Sequence, residues 1–129
     1  MKKIIFILSI IIPFSAFTTV DTVMFSGIIN AFKAGNATQL STYFDSKVEI
    51  SVLDKDEVYT KTQAEGVINK FFATNKPTSF SKEHEGTSPS GSNYCIGILK
   101  TAKGPFRVFI HAKDSGGKKV IQQIQIEEE

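Results

Sequence analysis

The chain has 129 residues, of which 22% are charged, and a formal net charge of +2. That balance excludes a nucleic-acid binder resting on a basic field, because phosphate-backbone binding needs clustered Lys and Arg. The single cysteine excludes an internal disulfide, so the core must hold without a covalent staple.

The first residues differ from the rest. Met1-Lys2-Lys3 is a basic end, residues 4–12 are apolar except for Ser9, and Pro13 to Thr18 supplies a helix breaker and small residues. A basic end, an apolar stretch of roughly 7–15 residues and a small-residue exit are the three parts of a secretory signal peptide. A membrane-spanning helix needs about 20 apolar residues. Residues 1–18 are therefore expected to be a signal peptide, with cleavage after Ala16 or Thr18. The mature chain, 19–129, is expected to be exported, periplasmic or secreted, with no transmembrane segment. No cysteine follows the apolar run to accept a lipid. Loss of Lys2 and Lys3 from 15 basic residues leaves the mature chain balanced against 13 acidic ones.

Residues 21–33 are predicted as the first helix. Asp21 accepts amide hydrogen bonds at its start, and Phe25, Ile28, Ile29 and Phe32 recur at helical spacing. Ala34-Gly35 ends it through a left-handed glycine cap. Asn36-Ala37-Thr38-Gln39 matches a capping box and opens a short second helix whose buried side takes Leu40, Tyr43 and Phe44. Residues 47–53 alternate as a half-buried strand, with Val48, Ile50 and Val52 on one face. Residues 54–57 read as a polar turn, and Val58-Tyr59-Thr60 pairs back. Thr62-Gln63-Ala64-Glu65 is a second capping box, before a helix that buries Ala64, Val67, Ile68, Phe71 and Phe72 and ends near Thr74. Gly66 costs that helix about 1 kcal/mol relative to alanine. Close packing against a sheet is the reason expected for it.

From Ser79 the period becomes two. Strands are predicted near 79–85, 93–101, 105–113 and 118–127, joined by a loop at 86–92 and compact turns at 102–104 and 114–117. Phe106, Val108, Ile110 and Ala112 share one face, opposite Arg107, Phe109, His111 and Lys113. Val120, Ile124 and Ile126 share another, with Gln122 among them. Helices followed by hairpin-linked strands define an α+β fold with a curved sheet, and leave no room for the crossovers of a doubly wound one.

That element order resembles the cystatin-like cone of the nuclear-transport-factor-two-like superfamily, with amino-terminal helices packed on a curved antiparallel β-sheet. The leader, the stretch GNATQLSTYFDSKVEIS (Gly35 to Ser51) and the stretch YCIGILKTAKGPFRVFI (Tyr94 to Ile110) are similar to a domain-of-unknown-function family of small exported proteins from Bacteroidetes. The resemblance covers nearly all of the mature chain. It implies a single cone domain and a homodimer through the outer sheet, and it carries no assigned reaction. The wider superfamily includes ketosteroid isomerase and scytalone dehydratase, whose full catalytic set finds no match here.

Candidate chemistry is sparse. His84 and His111 have no ligand spacing that would make a metal site with Cys95 or Glu83. Cys95 alternates with Tyr94 and Ile96 in a strand and reads as a buried small hydrophobe rather than a nucleophile. Asp54, Asp56 and Glu57 lack the loop of a calcium-binding hand. No metal, cofactor or nucleic acid is expected. Gly97, inside a strand, marks a bulge, a bend or a close approach. Tyr43, Asp45, Tyr59, Arg107, Phe109, His111 and Gln123 are the candidate pocket or interaction residues. The leading expectation is a noncatalytic module binding a small apolar ligand in the cone or a polypeptide on the sheet. The alternative is a small isomerase-, dehydratase- or hydrolase-like enzyme with a polar residue in the cone.

Overall fold

The computed structural model describes residues 25–116 and 118–129. The expected signal peptide and the Asp21 cap lie outside the described residues. Helix α1 spans Ser26–Ala34 and α2 spans Ala37–Ser41. They are followed by β1 (Phe44–Val52), β2 (Lys55–Thr60), α3 (Lys61–Thr74) and four strands, β3 (Pro77–Thr87), β4 (Asn93–Thr101), β5 (Gly104–Ser115) and β6 (Lys118–Glu128).

Local chemistry explains the boundaries. Gly35 takes φ 64° and closes α1, its amide bonding back to the Ala31 and Phe32 carbonyls. The Asn36 amide donates to the Ala31 carbonyl over 3.0 Å, so one backbone group serves the end of α1. The Asn36 side chain meanwhile accepts from the Gln39 amide over 2.9 Å and starts α2. The cap of α3 lies two residues ahead of the expected one. Thr60 accepts from the Gln63 amide, and the Gln63 side chain accepts from the Thr60 amide, which completes a reciprocal capping box.

The six strands form one sheet in the order β2-β1-β6-β5-β4-β3. Strands β3 to β6 are a meander of antiparallel neighbours, whereas β1 pairs parallel to β6. The sheet is therefore mixed rather than wholly antiparallel. The turn between β1 and β2 is also tighter than the polar stretch 54–57 suggests. Val52 pairs with Lys55, leaving only Leu53 and Asp54 in the turn, at φ 48° and 71°. Both central residues at positive φ is the two-residue turn whose twist matches paired strands.

The helices cover one face of the sheet. Phe32 of α1 stacks on Phe80 of β3 (centroids 5.6 Å) and meets Phe72 of α3 edge-on (5.8 Å), while Phe71 meets Phe106 of β5 edge-on (5.2 Å). Gly97 is the close approach anticipated for it, since a Cβ there would fall 2.5 Å from the Phe80 ring. In β6 the buried residues are Ile121, Ile124 and Ile126, not Val120. The register shifts between the pairs His111–Gln123 and Ala112–Ile121, which makes Gln122 the extra residue of a β-bulge and inverts the alternation ahead of it.

Candidate functional site

Strands β4, β5 and β6 turn their remaining side chains away from the helices. Their register sets Arg107 between Ile98 and Glu127, Phe109 between Ile96 and Gln125, and His111 between Tyr94 and Gln123. The Tyr94 and Phe109 rings stack with centroids 6.3 Å apart and planes 14° from parallel. Tyr94 also lies over Gly86, where a Cβ would come within 2.6 Å of its hydroxyl. Ile96, Ile98, Tyr94 and Phe109 are half-buried by their neighbours on this outer face. A dent of about 160 Å³ opens among Ile96, Arg107, Phe109, Gln125 and Glu127. Arg107 Nε lies 3.4 Å from a Glu129 carboxylate oxygen, and both side chains stay well exposed.

Four of the seven residues singled out from sequence thus share one face: Arg107, Phe109, His111 and Gln123. Asp45 lies near the bulged end of that sheet, its second oxygen 3.5 Å from Lys113 Nζ and 3.5 Å from the Gln122 amide nitrogen. Its other oxygen accepts from the Ser46 amide over 2.8 Å. That backbone bond, then Lys113 and Gln122, lower the Asp45 pKa from its usual 3.8 against an opposing desolvation. Tyr43 stands apart, packed against the core with its hydroxyl where a Cβ on Gly27 would be. Tyr59 faces α3. Its hydroxyl donates to a Glu57 carboxylate oxygen over 3.1 Å, and desolvation, with Glu57 second, raises its pKa from 10.0.

Sequence reasoning missed Ile96, Gln125 and Glu127, because only the pairing register shows them beside Arg107 and Phe109. It also missed a second, open groove of about 410 Å³ between β2 and α3, lined by residues that include Val58, Tyr59, Gly66 and Val67. Gly66 is exposed there, and a Cβ on it would meet no atom within 4 Å. Close packing on a sheet is therefore not the reason for this glycine.

The interior of the cone is occupied by side chains. Phe32, Leu40, Ile50, Ile68, Leu99 and Ile110 are all sealed from solvent, as is Cys95. Burial pushes the Cys95 thiol up to about 11, with Glu85 adding to the rise and Lys82 opposing it. A thiol held protonated is a poor nucleophile and a good core residue. Among the described residues, no group of three or more His, Cys, Asp or Glu is placed to hold a metal. None of their helices is long and apolar enough to cross a membrane.

Helices packed on one face of a curved six-stranded sheet define an α+β protein of the cystatin-like, nuclear-transport-factor-two-like fold class. A solved cystatin-like domain of unknown function from Nostoc punctiforme shares that fold at 11% identity and TM-score 0.64, over 87% of this chain and 79% of its own. Residues 25–127 match the model of the domain of unknown function DUF4783, and the chain belongs to that family. A DUF4783 protein from Bacteroides fragilis is 35% identical, with TM-score 0.77 over 81% of this chain and 97% of that one. One from Bacteroides uniformis is 39% identical, with TM-score 0.75 over 80% and 94%. No protein of curated function matches the chain.

Proposed function

We propose that this chain is an exported, noncatalytic interaction module that engages another polypeptide through the outer face of its meander. The observation that carries this reading is the strip of Tyr94, Ile96, Ile98 and Phe109 on the face opposite the helices, bordered by Arg107, Gln123 and Gln125. Apolar and aromatic residues with an arginine beside them are the composition of interface centres. The packed interior favours this surface over a ligand held inside the cone, and it leaves the enzyme reading without a polar group in an enclosed pocket.

The partner proposed for this face is a second copy of the chain. Gel filtration with light scattering on the mature protein should give a dimer across the micromolar range. Phe109→Asp should give a folded monomer, because it places a charge in the centre of the strip. A wild-type protein that stays monomeric throughout that range would remove the self-pairing reading.

A further inference from the structure

We propose, resting on the self-pairing reading of the outer face, that His111 makes that dimer pH-sensitive: two copies pair while its ring is neutral and separate once it is protonated. The chain has two histidines, and the register puts both on the outer face, His84 opposite Ile96 and His111 between Tyr94 and Gln123. Their surroundings differ. His84 is exposed on the terminal strand β3, beside Glu83, the extra residue of the bulge between Lys82 and His84. His111 is half-buried in the middle of the meander.

Two rows of side chains cross the centre of this face. One holds Ile96, Phe109 and Gln125, and the other holds Tyr94, His111 and Gln123. None of these carries a fixed charge. Histidine is the side chain whose charge ordinarily changes between pH 5 and 8. The two rows are therefore uncharged above that range and gain one positive charge on acidification. In an isologous dimer each copy brings its own His111 to the covered patch, so the charge is doubled there.

Burying a charge is costly unless an opposite one meets it. Within one copy, no acid flanks His111. Strand β4 sets Tyr94 beside it and β6 sets Gln123. The next positions facing the same way on β5 are Phe109 and Lys113, and the second of these is itself cationic. Asp45 lies 3.5 Å from Lys113 Nζ and is matched by it. Glu49 stands beyond Gln123 on β1, two strand spacings or about 10 Å from His111. It is exposed, and salt screens a charge over that distance. Arg107 and Glu127 face each other beyond the Phe109 row, and the Lys82–Glu85 pair lies on the helix side with Gly97 and Cys95. Among the described residues, none of the ion pairs includes His111. A separated copy therefore takes up the proton more readily than a paired one, and pairing weakens as pH falls through the histidine range.

Sedimentation equilibrium of the mature protein at about pH 7.5 and about pH 5.5, with circular dichroism confirming the fold at both, gives two dimer Kd values. The Kd at the lower pH should be larger by about tenfold or more. In His111→Gln, which keeps a polar side chain without a titrating ring, the ratio of the two values should fall close to one. In His84→Gln most of the ratio should remain. A wild-type dimer with the same Kd at both pH values would sink this proposal and leave self-pairing standing. A dimer that tightens on acidification would mean that an acid of the second copy meets His111, and would overturn it too. So would a ratio that survives His111→Gln or disappears in His84→Gln. Monomer alone at the higher pH, up to about 1 mM protein, would remove the self-pairing reading and this proposal with it.

Discussion

Asp45 shows how one side chain ties stability to pH. The Ser46 amide, then Lys113 and Gln122, favour its charged form, so its folded pKa lies below the usual 3.8. A group with a depressed folded pKa stabilises the fold above its unfolded pKa, and that contribution is lost as pH falls through the folded value. Urea midpoints followed from about pH 7 to pH 2 should show a weaker fold at neutral pH for Asp45→Asn, and a shallower acid limb than wild type. Parallel curves for the two proteins would mean that the carboxylate contributes nothing. The position of Asp45 near the helix-to-strand junction was legible in the sequence. Its partners were not, because Lys113 and Gln122 come from β5 and β6, far along the chain, and Gln122 sits in a bulge that leaves no mark on composition.

At the scale of elements, residue chemistry competes with pairing. The run 54–57 is polar enough to read as a turn, yet Lys55 to Thr60 is strand because it pairs with Val52 to Lys47. The turn then falls on Leu53 and Asp54, and Leu53 is a poor residue for φ 48°. Leu53→Asn should relieve about 1 kcal/mol, since asparagine enters the left-handed region more readily. A rise in the urea midpoint at unchanged slope checks this, and a fall would show that the Leu53 side chain has a packing role. The helices were read more closely, except that α2 stops at Ser41, so Tyr43 lies beyond it and Phe44, expected on its buried side, opens β1. Their stripes and the Gly35 cap are local signals, although the cap of α3 fell on Thr60 rather than Thr62 because both lie three residues before a Gln or Glu. Alternation of β5 was plain for the same reason. That of β6 failed ahead of Gln122, where one extra residue inverts it.

For the whole molecule, the order of helices and strands carried the fold class, while the neighbours of each candidate residue depended on register between distant strands. Arg107, Phe109 and His111 were recoverable together because they alternate along one strand. Ile96 and Gln125 join them only once β4 and β6 take their places on either side. The sealed core gives a global test. With its thiol pushed up to about 11 and fully buried, Cys95 should resist iodoacetamide in the native protein. Labelling measured by mass spectrometry across a urea series should then follow the unfolding transition seen by circular dichroism. Rapid labelling without urea would reveal local opening of β4. A last consequence belongs to the parallel pair of β1 and β6, which lie side by side in the sheet. The hairpin β1–β2 and the meander β3–β5 can each form from near neighbours, but the seam between them waits for β6, the sixth of the described strands in chain order. Until β6 arrives, a chain emerging from its amino end has the two parts of its sheet linked only through the helices, α1 on β3 and α3 on β1, and β6 alone turns them into one sheet.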